Sequence, residues 1–169
     1  MLGGVRSGKS AHAERLARAH AGPVAVLATA QAGDGEMAQR IAQHKAQRPA
    51  NWTIIEEPLA LAAALTGICR DDGLVVVDCL TLWLTNLLTH PDPERLAQER
   101  GALLAGLPRL PGRIVLVANE TGMGIVPMGE LTRRYVDESG RLHQSLAALC
   151  DRVTLVVAGL PHRLKGEAE

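Results

Sequence analysis

The sequence predicts an α/β fold with a mostly parallel sheet and helices on both of its faces. Continuous apolar runs rich in valine alternate along the chain with longer segments of helical pattern. Strands that are buried on both faces have such continuous runs, because a parallel sheet is covered on each side. A glycine-rich loop at residues 3–10 precedes the first helical segment. In this architecture, ligands bind beyond the carboxyl ends of the strands.

Four apolar runs are predicted as strands, at residues 24–28, 74–77, 114–118 and 153–157. Helices are predicted at residues 10–20, 35–47, 59–69, 80–89, 94–105 and 130–150. The sequence contains no repeat and no low-complexity linker that would separate two domains. We therefore expect residues 1–169 to form a single nucleotide-binding domain.

The composition favours a protein that acts on small molecules. Eighteen basic residues balance eighteen acidic ones, so no net field attracts nucleic acid or an anionic membrane. The chain has two Trp, one Tyr and no Phe, too few for a surface that stacks nucleic-acid bases. The apolar stretch at 74–88 is interrupted by Asp78 and Asn86 and is too short to span a bilayer.

The cysteines are expected to be reduced thiols. Cys69, Cys79 and Cys150 are odd in number, and no pair has the spacing of a zinc or redox motif. The glycine-rich loop begins at residue 3, so no signal peptide is expected. Both observations predict a cytoplasmic protein without a membrane span.

The glycine-rich loop matches the pattern G-x-x-x-x-G-K-S, with the residues Gly3, Gly4, Val5, Arg6, Ser7, Gly8, Lys9 and Ser10. Its glycines let the backbone turn tightly, so that consecutive N–H groups point at phosphate oxygens. The helix that follows adds the positive end of its dipole. Lys9 is expected to neutralise β- and γ-phosphate charge, and the Ser10 hydroxyl to bind Mg²⁺. The whole loop is therefore a predicted nucleotide site.

The start of the chain departs from the usual pattern of such loops. Only Met1 and Leu2 precede Gly3, whereas a loop of this kind normally follows a full strand. Either the first strand is vestigial or the natural start lies upstream. A shortened strand is expected to leave the loop poorly anchored.

Asp78 follows the apolar run at 74–77 and is a second candidate ligand for Mg²⁺. A carboxylate at a strand end that faces the glycine-rich loop is where a metal-bound water or a phosphoryl acceptor needs it. An Asp in this position is also a common helix N-cap, and a helical pattern follows. Together with the loop, the pattern favours the metal.

Two further segments carry polar groups. Glu36, Arg40 and His44 share one face of a predicted helix, where the spacing alone favours a solvated surface. The segment 119–127 (NETGMGIVP) follows a predicted strand and ends at a proline, which suggests a substrate-facing loop or an ordinary turn. The charged residues at 133–141 are expected to be solvated.

The chain resembles the bifunctional adenosylcobinamide kinase/adenosylcobinamide-phosphate guanylyltransferase family. The resemblance extends along the whole chain and is carried by GGVRSGKS (3–10), EMAQRIAQHKAQRPANW (36–52), VVDCLTLWLTNLL (76–88), NETGMGIVP (119–127) and DRVTLVVAGLP (151–161). It implies two reactions. A nucleoside triphosphate, ATP or GTP, first phosphorylates adenosylcobinamide. GMP is then transferred from GTP to that phosphate, with release of pyrophosphate.

The resemblance also implies roles for individual residues. In this family GMP is first attached to a histidine, and the matching position is His44; a neutral imidazole is a suitable nucleophile. Further nucleotide contacts are implied at Ala28, Thr29, Ala30, Lys45, Ala46, Gln47, Arg48, Glu56 and Asp78. Relatives carry Glu where this chain has Asp78. The family implies a homotrimer and a parallel sheet with an antiparallel edge.

Two other functions are compatible with the glycine-rich loop. A nucleoside monophosphate kinase would use the arginines at 133–141 as a lid, but it gives no reason for the block around His44. A GTP-dependent switch usually recognises guanine through an N-K-x-D motif, which this chain lacks. The resemblance favours the bifunctional transferase over both.

Overall fold

Valine-rich strands form the centre of a seven-stranded sheet in the computed structural model, which describes residues 1–31 and 48–166. The strands are β1 Leu2–Gly3, β2 Val24–Ala28, β3 Thr53–Glu56, β4 Leu74–Asp78, β5 Arg113–Asn119, β6 Val153–Val157 and β7 Leu160–Lys165. The four predicted strands are confirmed. β1, β3 and β7 complete the sheet.

The helices of the described ranges are α1 Lys9–Arg18, α2 Leu61–Ile68, α3 Leu80–Leu88, α4 Arg95–Gly106 and α5 Glu130–Leu149, and a 3₁₀ turn follows α4 at Leu107–Arg109. Five predicted helices are confirmed, with ends that differ by no more than about two residues, the usual uncertainty of helix boundaries. The predicted helix at 35–47 lies outside the described residues.

The strand order is β3-β2-β4-β5-β1-β6-β7. All neighbours pair in parallel except β6 and β7, which are antiparallel. This confirms a mostly parallel sheet with an antiparallel edge. Because the strands are parallel, β2, β4, β5 and β1 all end at the same edge of the sheet, and their following loops meet there.

Helices cover both faces of the sheet, and β4 shows why. Its residues Leu74 and Val76 pack in one apolar cluster with Ala13 and Ala17 of α1. The alternate residues of β4 pack in a larger cluster with side chains of α2, α3, α4 and α5, among them the fully buried Trp83. Successive side chains of a strand point to opposite faces, so a strand that is buried on both sides is apolar throughout.

The shortness of β1 does not leave it loose. Leu2 lies opposite Ala118 of β5 and Leu155 of β6, so two residues pair with a neighbour on each side. The amino group of Met1 donates a hydrogen bond to the carbonyl oxygen of Leu116 at 2.7 Å, and burial lowers the pKa of this amino group. β1 has only two residues, but the expected poor anchoring was wrong.

No helix within residues 1–31 and 48–166 has both the length and the apolar composition to cross a membrane.

Candidate functional site

The glycine-rich loop connects β1 to α1 at the carboxyl edge of the sheet. Gly8 is the residue before α1 and has a φ of 96°, which favours glycine because a Cβ would be strained there. A Cβ at Gly8 would also lie 2.9 Å from the Cα of Gly159. The N–H of Ser7 donates to the carbonyl of Gly4 at 3.2 Å, which closes the turn. The loop is thus tight where the sequence pattern demands glycine.

The other two glycines of the loop differ in what they require. A Cβ at Gly3 would lie 2.6 Å from the carbonyl oxygen of Val156 in β6 and 2.5 Å from the Ser7 hydroxyl oxygen. At Gly4 it would meet no described atom within 4 Å. Gly3 therefore permits close packing between strands, whereas neither φ nor contact explains Gly4. Arg6 has a φ of 55° without being glycine.

Neighbouring elements hold the loop at both of its ends. The N–H of Glu120, just after β5, donates to the carbonyl of Gly3 at 2.9 Å. The N–H of Gly159, in the turn between β6 and β7, donates to the carbonyl of Ser7 at 2.8 Å. The backbone of the loop is therefore fixed by two elements that come much later in the sequence.

Lys9 is the first residue of α1, and its side chain is buried although it is charged. Its ammonium group donates to the carbonyl of Gly4 at 3.1 Å. The lysine thus folds back over the loop, and its charge adds to the positive end of the α1 dipole. A site of this kind attracts an anion.

Asp78 ends β4 at the same edge and forms an ion pair with Arg48. The Arg48 Nη2 atom lies 2.7 Å from the Asp78 Oδ2 atom, and the two side chains are 5% and 20% exposed. Ser10, Arg48 and Asp78 line one small cavity between α1 and the sheet. The two predicted metal ligands, Ser10 and Asp78, therefore line one cavity. Arg48, predicted as a nucleotide contact, is paired with the Asp78 carboxylate.

The guanidinium of Arg48 retains a further donor. Its Nε atom is buried and has no hydrogen-bond partner among the described residues. A buried donor without a partner is costly, and such a group commonly marks a place where a ligand or water binds.

Trp52, the last residue of the block 36–52, is a core residue. It is 9% exposed and packs in the cluster between α1 and the sheet, where the guanidinium of Arg18 lies 5.7 Å from its ring centroid. Its presence in the block is explained by packing and by this cation–π contact.

The predicted contacts after β2 lie at the same level of the sheet. Ala28 is opposite Glu56 of β3 on one side and Asp78 of β4 on the other. Glu56 is exposed at the end of β3. Ala30, two residues after Ala28, is half-buried. All these positions border the edge where the glycine-rich loop lies.

Thr29 is fully buried, and its hydroxyl group bonds the backbone of the next strand end. It donates to the carbonyl of Cys79 at 2.7 Å and accepts from the N–H of Cys79 at 3.1 Å. The Thr29 carbonyl in turn accepts a hydrogen bond from the Asn86 amide at 2.9 Å. The Thr29 side chain therefore holds β2 and β4 in register at their ends, and the peptide bond between Asp78 and Cys79 is cis.

Several predicted site residues lie outside the described residues. These are His44, Lys45, Ala46 and Gln47, together with the remaining positions of the helix face, Glu36 and Arg40.

The three cysteines carry no disulfide. Cys69 is buried, and Cys79 and Cys150 are half-buried. Burial raises the pKa of all three thiols, so each is held as a neutral thiol near neutral pH. Within the described ranges, no group of three or more His, Cys, Asp or Glu side chains is arranged to hold a metal ion.

A polar pair that the sequence analysis missed lies beyond β5. The Glu120 Oε2 atom is 3.7 Å from the His143 Nδ1 atom of α5, and the side chains are 18% and 11% exposed. Burial lowers the pKa of His143, and the neighbouring Glu120 carboxylate opposes this shift. Twenty-three positions separate the two residues, and no local pattern links them.

Comparison with known proteins gives one consistent result. A model of the family described as cobinamide kinase / cobinamide phosphate guanyltransferase matches residues 1–164. The bifunctional adenosylcobalamin biosynthesis protein CobP of Pseudomonas aeruginosa is 63% identical over 167 residues, which cover 99% of this chain and 96% of the relative. The corresponding CobU proteins of Salmonella typhimurium and Escherichia coli are 43% and 38% identical over 178 residues, with 98% of each chain covered. The chain therefore belongs to the cobinamide kinase / cobinamide phosphate guanyltransferase family of bifunctional enzymes.

Proposed function

We propose that the chain carries out two successive transfers. It phosphorylates the hydroxyl group of adenosylcobinamide with a nucleoside triphosphate, ATP or GTP, and then transfers GMP from GTP to that phosphate. The products of the second step are adenosyl-GDP-cobinamide and pyrophosphate. The observation that carries the proposal is the glycine-rich loop with its buried Lys9, in a chain of this family. A nucleoside monophosphate kinase and a GTP-dependent switch have no comparable support.

In the first transfer, we assign the glycine-rich loop to the triphosphate. Consecutive N–H groups of residues 4–8 and the start of α1 would bind phosphate oxygens. Lys9 would exchange the Gly4 carbonyl, now 3.1 Å from its Nζ atom, for β- and γ-phosphate oxygens. The Nε–H of Arg48, which lacks a partner among the described residues, is a further phosphate donor.

Mg²⁺ fits the residues at the edge. A Ser10 hydroxyl and an Asp78 carboxylate line the same cavity, and both are oxygen ligands of the kind that Mg²⁺ prefers. With two protein ligands, water and substrate phosphates would complete the coordination, which is usual for this ion. When bound, it neutralises phosphate charge. Arg48 would then yield the Asp78 carboxylate.

In the second transfer, we assign the nucleophile to His44. Its imidazole nitrogen would attack the α-phosphorus of GTP, form a P–N bond and release pyrophosphate. The phosphate of the acceptor would then displace the histidine. Lys45, Ala46, Gln47 and Arg48 are proposed nucleotide contacts beside it. Glu56 at the end of β3 is a proposed acceptor for the guanine N–H groups, with Ala28, Thr29 and Ala30 as neighbouring contacts.

The acceptor is proposed to lie against the segment 119–127, which leaves the sheet at the end of β5. Met123, Ile125, Val126 and the neighbouring Met128 are between 73% and 97% exposed. The broad, methyl-bearing ring of a corrinoid suits such a surface better than a small polar substrate does. A homotrimer, implied by the family resemblance, and a cytoplasmic location, predicted from the sequence, are further proposals. Light scattering tests the first and cell fractionation the second.

The decisive experiment uses GTP that is labelled in turn on its α- and γ-phosphates. The protein is incubated with Mg²⁺ and each label without corrinoid, denatured, and tested for acid-labile, base-stable label. We expect α-label on the wild type and none on the variant His44→Ala. With γ-labelled GTP the denatured protein should carry no label, because the γ-phosphate leaves with the pyrophosphate.

Absence of α-label on the wild type would overturn the guanylyl transfer. Retention of the label in His44→Ala would overturn the choice of nucleophile. His20→Ala is the matched control. His20 follows the C-terminal end of α1, whereas the glycine-rich loop precedes the other end, and the His20 ring is hydrogen-bonded to the carbonyl of Asp72 at 2.9 Å. It should label like the wild type.

A further inference from the structure

A second carboxylate lies beside the glycine-rich loop, and no chemical step has been assigned to it. Glu120 follows β5 directly, at the carboxyl edge of the sheet. Its Oε1 atom accepts a hydrogen bond from the N–H of Gly122 at 2.6 Å, and its Oε2 atom faces His143 at 3.7 Å. The side chain is therefore held in one orientation by its own loop and by α5.

The backbone of Glu120 is tied to the glycine-rich loop. Asn119 lies opposite Gly3 in the pairing of β5 and β1, and the N–H of Glu120 donates to the Gly3 carbonyl at 2.9 Å. The next carbonyl of the loop, that of Gly4, holds the Lys9 ammonium at 3.1 Å. Glu120 is therefore bonded to the start of the glycine-rich loop, whose Lys9 supplies the positive charge expected to bind the transferred phosphate.

The two carboxylates at this edge differ in their partners. Asp78 is paired with the guanidinium of Arg48 at 2.7 Å and is a proposed Mg²⁺ ligand, so its carboxylate already has a role. Glu120 instead faces an imidazole that burial keeps neutral near pH 7, because it lowers the pKa of His143. A carboxylate accepts up to about four hydrogen bonds, so Glu120 retains acceptor positions besides the bond from Gly122.

The surface next to Glu120 is suited to deliver a hydroxyl group. Glu120 is the first residue after β5 in the segment 119–127, which continues into the exposed Met123, Ile125 and Val126. The N–H of Glu120 bonds the carbonyl of Gly3, so an acceptor on this surface has the glycine-rich loop beside it where the segment joins β5. Glu120 occupies that junction.

We propose that Glu120 is the general base of the phosphoryl transfer, an assignment that rests on the proposed kinase function. The hydroxyl group of the acceptor gives its proton to the Glu120 carboxylate while its oxygen forms a bond to the γ-phosphorus. The bond from that phosphorus to the bridging oxygen breaks, and its electron pair leaves with the nucleoside diphosphate. The proton passes from Glu120 to solvent. His143 is a positioning residue that limits the carboxylate to this orientation.

The test separates the two reactions in the variant Glu120→Gln, whose amide oxygen can still accept the bond from Gly122. Kinase turnover is measured with γ-labelled nucleotide and adenosylcobinamide. Guanylyl transfer is measured with adenosylcobinamide phosphate supplied directly, and nucleotide affinity with a fluorescent analogue. We expect kinase kcat to fall on the order of 10²–10⁴-fold, the usual contribution of a general base. Nucleotide affinity and guanylyl transfer should stay within about threefold of the wild type.

A second variant, Glu120→Asp, covers the case in which the amide disturbs the loop. It keeps a carboxylate on a shorter chain and should retain at least about tenfold more kinase activity than Glu120→Gln. Glu130→Gln, at the exposed first turn of α5, is the matched control and should behave like the wild type.

The positioning role has its own readout. His143→Asn should lower kinase kcat without raising the KM for nucleotide, and it should leave guanylyl transfer unchanged.

Several outcomes would overturn the assignment. One is Glu120→Gln with wild-type kinase turnover, and another is equal activity of the Gln and Asp variants. Parallel loss of both reactions and of nucleotide binding would show that Glu120 only supports the loop. If the wild type itself phosphorylates no adenosylcobinamide, the proposed function fails, and the assignment of Glu120 fails with it.

Discussion

Gly3 and Gly4 are adjacent in the glycine-rich loop, but a methyl group has different consequences at the two positions. At Gly3 it would lie 2.6 Å from the Val156 carbonyl oxygen, a backbone atom that can move only with β6. At Gly4 it would contact no described atom within 4 Å. The loop pattern in the sequence does not distinguish the two glycines. The packing does, because only at Gly3 would a Cβ clash with its neighbours.

We therefore expect Gly3→Ala to lower the free energy of unfolding by about 2 kcal/mol, a typical cost of overpacking. Gly4→Ala should change it by no more than about 0.5 kcal/mol, like other substitutions in open space. Urea denaturation of the two variants and the wild type, without nucleotide, checks the difference. Equal destabilisation by both substitutions would contradict the steric account.

The ion pair of Arg48 and Asp78 marks how far the sequence predicts the site. The motif and the strand-end position identified Asp78, and the family resemblance identified Arg48, each as a separate contact. Thirty positions separate them, so their pairing at 2.7 Å arises only when β4 and the segment after residue 47 come together. The pair of Glu120 and His143 was missed for the same reason. Side chains that meet through the tertiary fold leave no local spacing to recognise.

At the scale of elements, the sequence predicts what is buried and misses what is exposed. The core strands have unbroken apolar runs, and all four were found. Every residue of β7 is exposed, so this strand has no apolar alternation to reveal it. β3 is only four residues long, and its two ends are exposed. The antiparallel edge was expected from the family resemblance and not from any pattern in residues 160–165.

The turn between β6 and β7 combines a strained residue with a suitable one. Ala158 and Gly159 both have positive φ, 51° and 80°, as a two-residue hairpin turn of type I′ requires. Asn tolerates this conformation better than Ala. Ala158→Asn should therefore raise the free energy of unfolding by about 1 kcal/mol.

A substitution at the neighbouring position of the turn, with the opposite expected effect, is the matched comparison. Gly159→Ala introduces a Cβ at positive φ and should lower the free energy of unfolding by about 1 kcal/mol, although the space around it is open. Chemical denaturation measures both variants. If Ala158→Asn were destabilising, the turn would not have the conformation described.

For the whole molecule, acid should weaken the folded state through His143. Burial lowers the folded-state pKa of this side chain, so below the ordinary histidine value of about 6.5 the unfolded chain binds the proton more readily. The unfolded state then holds more protons than the native state, and stability falls as the pH falls. The contribution is absent above the unfolded-state pKa.

The variant His143→Gln should remove part of this dependence. Between pH 7.5 and pH 5 its free energy of unfolding should fall less than that of the wild type, as measured by urea denaturation at several pH values. The buried amino group of Met1 acts in the same direction in both proteins. Replacing the exposed His162 by Gln is the control and should leave the wild-type slope. Parallel slopes for His143→Gln and the wild type would refute the prediction.

The two residues of β1 have a consequence for how the protein is made. Leu2 joins the sheet between β5 and β6, opposite Ala118 and Leu155, so β1 can take its place only after these two much later strands have been synthesised. Contacts this distant in sequence form late, because a long loop must close first. The glycine-rich loop, which follows β1 directly, is therefore also completed late. A growing chain would have its helices and central strands long before it had a place to hold a triphosphate, and a nucleotide would stabilise only the finished protein.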